Sequence, residues 1–139
     1  MTGPEARCVL LADRHHGLTE GLRGLLETLF DNVVMVADEH SLHETAMRLQ
    51  PTVVVVDLSL GAGQNLAWLR RLRDRCAASR IVLLSVYDEP SVTRTALAAG
   101  ADAVVLKRDI VTHLLPTVEA MLAGTPIPEP TPPTSSTPG

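Results

Sequence analysis

Aromatic residues are nearly missing from this chain of 139 residues, which holds one phenylalanine, one tryptophan and one tyrosine: Phe30, Trp68 and Tyr87. A core must therefore be built from Leu, Val, Ile and Ala, and a stacking platform for nucleic-acid bases is excluded. Lysine is scarcer still, since Lys107 stands alone in a chain that otherwise carries its positive charge on arginine. The net charge of −4 at pH 7 argues against a broad surface for nucleic acid or an anionic membrane. The local cluster Arg70, Arg71, Arg73 and Arg75 reads as the solvated side of a helix. Two cysteines, Cys8 and Cys76, supply neither a disulfide framework nor a zinc spacing. No apolar run reaches the ~18 residues that a membrane span needs. The N-terminus also lacks the charged-then-apolar layout of a signal peptide, so a cytoplasmic protein without membrane contact is expected.

What is present is a rhythm of short apolar runs: RCVLLAD (7–13), NVVMVAD (32–38), PTVVVVD (51–57), RIVLLSV (80–86) and ADAVVLK (101–107). The third is the most telling. Four consecutive valines without polar alternation predict a strand buried on both faces, the habit of a parallel sheet covered by helices. The segments between the runs carry helical periodicity. In the first, Leu18, Leu22, Leu25, Leu26 and Leu29 share a stripe despite the helix-weakening Gly21 and Gly24. A second helix is predicted over 41–49 and a third over 65–76, with Leu66, Leu69 and Leu72 toward the sheet. A fourth starts with Asp88 as N-cap and Pro90 in its first turn and ends at Gly100. A fifth starts near Asp109, with Pro116 expected to kink it or delay its regular part. Strand and helix thus alternate, which predicts an α/β fold: a doubly wound, five-stranded parallel sheet of order 2-1-3-4-5. One domain over 1–124 is expected, large enough to bury roughly two thirds of its unfolded surface. The proline-rich stretch 125–139 reads as a flexible tail or linker.

In such sheets ligands gather beyond the carboxyl ends of the strands. Four polar residues stand there: Asp13, Asp57, Ser85 and Lys107. Two carboxylates, a hydroxyl and an ammonium would share one crevice, although an acid such as Asp57 can also serve simply to cap a turn. The stretches VLLADRHHGLTEGLRGLL, PTVVVVDLSL, VLLSV and ALAAGADAVVLK, taken in order, resemble a response-regulator receiver domain of the CheY-like fold and the NarL/FixJ-like group, over residues 7 to 124.

The resemblance implies that Asp57 is the phosphoacceptor, attacking a phosphoryl group donated by a histidine kinase. It implies that Asp13, Asp57 and the carbonyl of Ser59 ligate Mg²⁺, that Ser85 follows the phosphoryl oxygens as a switch residue, and that Lys107 neutralises them. Such a protein is a signalling module and not an enzyme. Self-association would use the fourth helix, fifth strand and fifth helix, or the first and fifth helices. Relatives of this group usually bind DNA through a C-terminal helix-turn-helix, which this chain does not include.

Three positions depart from the family pattern. The acidic pair after the first strand reads Asp13-Arg14, so an arginine stands where a metal-ligating acid is usual. With Arg14 and Lys107 set against Asp13 and Asp57 the charges cancel, and Mg²⁺ is expected to bind weakly or not at all; Arg14 is expected either to pair with Asp57 or to turn into solvent. Val104 takes the place of the aromatic switch residue, and Gly61 that of a proline common after the acceptor. The expectation is an atypical receiver of a transcriptional regulator in two-component signalling, with weakened or lost phosphorylation; the alternative is a conventional phospho-accepting receiver.

Other readings fit less well. A cobalamin-binding module would match its D-x-H-x-x-G signature at Asp13 and His15, but the glycine, Gly17, falls one residue early. A dehalogenase-like phosphatase needs a second acid where Ser59 stands, and no G-x-G-x-x-G follows Asp13. The histidines His15, His16, His40, His43 and His113 show no metal-ligand spacing and are assigned surface or capping roles.

Overall fold

The computed structural model describes residues 7–61 and 66–127, with backbone alone over 16–19. Its elements alternate: β1 (Cys8–Ala12), α1 (His16–Leu26), β2 (Asn32–Val36), α2 (Glu39–Leu49), β3 (Val53–Asp57), α3 (Ala67–Arg75), β4 (Arg80–Ser85), α4 (Pro90–Ala98), β5 (Ala103–Leu106) and α5 (Ile110–Ala123). The five strands form one sheet in the order β2-β1-β3-β4-β5, and every pairing is parallel. This is the doubly wound arrangement expected from the alternation of runs.

The strand residues divide between two cores by parity, because successive side chains leave opposite faces of a sheet. Leu10, Val54, Val56, Ile81 and Leu83 pack with Leu42, Ala46, Leu69, Leu72 and Ala96, so α2, α3 and α4 cover that face. Val9, Leu11, Val53, Val55, Val82 and Leu84 pack with Leu22, Leu26, Leu114 and Val118, so α1 and α5 cover the other. All four valines of β3 are fully buried, each contributing about 1.5–3 kcal/mol of transfer free energy. Gly21 and Gly24 face open space, where a Cβ would meet nothing within 4 Å. The α1 helix is held by the burial of Leu22 and Leu26, with Leu25 packed against the same core, and not by propensity.

Several boundaries shift for identifiable reasons. Helix α2 begins two residues before position 41 because Asp38 caps it, accepting from the Ser41 amide at 2.8 Å. Helix α4 is preceded by Glu89, and Asp88 is not its cap; the Asp88 carboxylate instead pairs with Arg108 at 3.2 Å. Helix α5 continues through Pro116. A 3₁₀ turn over Lys107–Asp109 leads into it, and Pro116 lies on the exposed side, where the carbonyl left without a helical partner can be hydrated. Its C-terminus is closed by Gly124 in the left-handed region, φ 72°, and Ile127 still packs against the α1/α5 core. Residues 65 and 128–139, where the sequence places the start of the third helix and most of the tail, lie outside the described residues. Cys76 caps α3 and is fully buried, and both thiols are free. Among the described residues no helix is long and apolar enough to cross a membrane.

The arginine cluster is not uniformly solvated. Arg70 and Arg75 are exposed and Arg71 meets Glu39 at 3.3 Å, but Arg73 is half-buried and turned inward. It donates to the carbonyls of Gly100 (3.0 Å), Ala77 (3.2 Å) and Ser79 (2.7 Å) and to the Asp102 carboxylate (2.5 Å). The same Asp102 oxygen accepts from the Ile81 amide at 2.8 Å, so one ion pair joins α3 to the starts of β4 and β5.

Candidate functional site

Asp13 follows β1, Asp57 ends β3 and Lys107 follows β5, so the sheet order brings all three to one crevice. Asp57 is 2 % exposed. Its Oδ2 accepts from the Lys107 ammonium at 2.9 Å and from the Ser59 hydroxyl at 2.8 Å, while Oδ1 accepts from the Ser59 amide at 3.3 Å. It therefore caps the 3₁₀ turn Leu58–Leu60 as well as facing the crevice. Burial alone would push its carboxyl up, but the bonds from Lys107 and Ser59 outweigh it and hold the group below the usual carboxylate range. The result is an ionised, fixed oxygen at neutral pH.

Asp13 is equally buried, at 3 %. Its Oδ1 accepts from the amide of His15 and lies 2.9 Å from the His15 Nδ1, and its Oδ2 lies 3.5 Å from the Lys107 ammonium. That Oδ2 has no hydrogen-bond partner among the described residues. His15 Nδ1 is also 3.8 Å from Asp57 Oδ2. Asp13, His15 and Asp57 thus present three donors within 4.8 Å of one another. The surface or capping role expected for His15 is too narrow, because the structure puts its ring at the rim of the site. Its place two residues after Asp13, on the loop leaving β1, is the signal that could have found it.

Arg14 takes neither expected position. Its guanidinium neither pairs with Asp57 nor turns free into solvent; it donates to the carbonyls of Ser59 at 3.2 Å and Leu60 at 3.1 Å. Those carbonyls are exposed by the 3₁₀ turn, whose geometry leaves them without helical partners. Ser85 is fully buried, and its hydroxyl closes a local turn by accepting from the Tyr87 amide (2.9 Å) and donating to the Tyr87 carbonyl (3.2 Å), without bonding Asp57. Val104 is half-buried and packs on the α2/α3/α4 core.

Gly61 has an extended backbone, φ −85° and ψ 149°, that any residue could adopt. Its requirement is a close approach, because a Cβ there would enter the indole of the buried Trp68. Gly61→Ala is expected to displace that indole and cost about 1–3 kcal/mol, read as a red-shifted emission of the single tryptophan and a lower urea midpoint. Unchanged emission and midpoint would refute the contact. Trp68 and Gly61, with Leu58, Tyr87, Val92 and Thr95, line a cavity of about 650 Å³ that opens beside Asp57 and Lys107.

Asp13 and Asp57 offer carboxylate oxygens of the kind a hard cation such as Mg²⁺ takes, while Arg14 donates to the Ser59 carbonyl and the Lys107 ammonium lies 2.9 Å from Asp57 Oδ2 and 3.5 Å from Asp13 Oδ2.

The model of the response regulator receiver domain family matches residues 9–119. The chain belongs to that family. The receiver is 36 % identical over 102 residues to the nitrate/nitrite response regulator protein homolog of Haemophilus influenzae, covering 71 % of this chain and 49 % of that protein. It is 31 % identical over 109 residues to the nitrate/nitrite response regulator NarL of Escherichia coli, covering 77 % and 50 %. The chain therefore spans about half the length of these relatives. A two-component response regulator of the LuxR family from Aurantimonas superposes with a TM-score of 0.77 at 28 % identity, covering 87 % of the receiver and 88 % of that chain. The receiver is thus of the NarL/LuxR type within two-component signalling, with the CheY-like fold.

Proposed function

We propose that this receiver is the signalling half of a transcriptional regulator in which Mg²⁺-dependent phosphorylation of Asp57 is weakened or lost, so that its output depends on protein contacts more than on a phosphoryl group. The observation that carries this reading is the Arg14 guanidinium on the Ser59 carbonyl at 3.2 Å. A fixed positive charge occupies the oxygen that the family resemblance assigns to the metal, and phosphoryl transfer depends on a cation balancing oxygen charge at that place. Ser85, turned to Tyr87, and Val104, without a ring, support an altered switch.

The partner is a histidine kinase or another signalling protein, and DNA is reached only through a separate domain. Exposed Leu97 on α4 and Val111 on α5 favour self-association through α4, β5 and α5, with α1 and α5 as the other candidate face. A conventional phospho-accepting receiver is the second reading, favoured by the intact Asp57–Lys107 contact at 2.9 Å and the ionised Asp57 carboxylate.

Incubation with a small phosphodonor and Mg²⁺, followed by intact-mass spectrometry, separates the two. Little or no phosphoprotein is expected. Stoichiometric modification that disappears in Asp57→Asn would establish the conventional receiver.

A further inference from the structure

We propose that His43 is a proton-operated latch at the seam between α2 and α3: neutral, it leaves the Glu39 carboxylate to bridge the two helices through Arg71, and protonated, it draws that carboxylate onto its own helix and releases Arg71. The inference goes beyond the reading above and uses none of the residues of the crevice.

Glu39 and His43 stand four residues apart on α2, so they share one face of the helix a turn apart. The fold turns that face toward α3, and His43 does not take the surface or capping role expected of it. Its side chain is only 12 % exposed, and both ring nitrogens are buried without a hydrogen bond among the described residues. A neutral imidazole offers one N–H donor and one acceptor. Burying both unpaired is already costly, and a charge added to the ring makes burial costlier still unless a carboxylate moves onto it.

One oxygen decides between the two arrangements. Glu39 Oε2 lies 3.3 Å from the Arg71 guanidinium on α3 and 3.8 Å from His43 Nε2 on its own helix. With a neutral ring the shorter contact holds, and the carboxylate joins α2 to α3. A proton on the ring gives the same oxygen a second cation, one that water does not reach. Arg71 is half exposed, at 51 %, and is hydrated when released, so the buried imidazolium gains more from the carboxylate than the guanidinium loses. Farther along the seam the Gln50 side-chain amide donates to the Arg75 carbonyl at 3.3 Å. That bond carries no net charge and ties the C-terminal ends of α2 and α3 at either pH, which confines the change to the start of the seam.

The groups facing His43 are Glu39 and His40 from α2 and Arg71 and Arg75 from α3, while the strand side chains in the core beneath α2, Leu10, Ala12, Val34 and Val36, are apolar. Burial holds the imidazole below the ordinary histidine range; Glu39 pulls it up, and Arg71, Arg75 and His40 push it down further. The unfolded chain therefore takes up this proton first. Stability from the neutral ring is complete above about pH 6.5 and declines as pH falls below that toward the lowered value.

The test follows the whole chain and its His43→Leu variant by NMR and urea denaturation between about pH 7.5 and 5, the range in which histidines change charge. The His43 ring, assigned by its absence from the variant, is expected to titrate below the ordinary value of about 6.5. The Arg71 guanidinium N–H resonances should shift with the same midpoint, and should hold their position in His43→Leu. Below about pH 6.5 the unfolding constant of the parent should rise relative to that of His43→Leu by up to about tenfold per pH unit. His43→Gln stays neutral throughout and should share the pH dependence of His43→Leu whatever its absolute stability, so the comparison survives a variant that packs poorly. Glu39→Gln should move the His43 titration lower still and uncouple the Arg71 resonances from it. A His43 ring that titrates at or above the ordinary value would overturn the latch, as would a single pH dependence common to the parent and both His43 variants, or Arg71 resonances that ignore the His43 titration.

Discussion

Arg14→Asp is expected to raise both Mg²⁺ affinity and the rate of Asp57 phosphorylation by a small phosphodonor at least about tenfold, which requires only about 1.4 kcal/mol. The substitution does three things at once. It removes the guanidinium from the Ser59 and Leu60 carbonyls, adds an oxygen donor suited to a hard cation, and reverses the sign of one charge at the mouth of the crevice. At an effective dielectric of about 20, a unit charge about 4 Å from another is worth about 4 kcal/mol. Arg14 is exposed, so solvent screening removes much of that, yet a fraction suffices for a tenfold gain. Arg14→Ala separates the contributions: it frees the carbonyls without adding a donor, and should fall between wild type and Arg14→Asp. Metal affinity and phosphorylation rate are the measurements. If Arg14→Asp behaves as wild type in both, the arginine is not what sets the site apart, and the altered surroundings of Ser85 and Val104 must be responsible.

The largest loss of stability is expected at the opposite end of the sheet. Arg73→Met should destabilise the domain by about 3 kcal/mol, because it leaves the Asp102 carboxylate half-buried without its partner and strips the carbonyls of Gly100, Ala77 and Ser79 of a charged donor. Arg80 reaches the other Asp102 oxygen only at 3.6 Å and cannot take over the bond. Arg73→Lys should recover little, since an ammonium cannot match a planar fork that addresses Gly100, Ala77, Ser79 and Asp102 together. The contact is reinforced by Gly100, whose φ of +123° already restricts that turn to glycine and whose missing Cβ admits the Arg73 stem. Urea denaturation of the three proteins is the check, and a loss below about 1 kcal/mol for Arg73→Met would show that the pair is merely a surface contact. Since these groups lie at the starts of β4 and β5, while Asp57 lies at the far ends of the strands, the folded variant should keep the metal and phosphodonor behaviour of the parent.

Much of this molecule is legible in the chain itself. The four valines before Asp57, with nothing polar between them, can be satisfied only by burial on both faces, and that dictates a covered parallel sheet. Once the runs alternate with amphipathic segments, their ends must carry Asp13, Asp57 and Lys107 to one crevice, because the direction of a parallel strand is shared by its neighbours. The exchange of an acid for Arg14 is equally plain from residue type. Tertiary structure alone decided where that guanidinium goes, that His15 faces two carboxylates, that Ser85 turns to Tyr87, that Gly61 makes room for Trp68, and that Arg73 points inward while Arg70 and Arg75 do not. The reason is physical. Strand burial follows a local period of two that the residues impose on themselves, whereas a long side chain or a loop ring chooses among rotamers of similar intrinsic energy according to whichever carbonyl, carboxylate or indole the rest of the fold brings within reach.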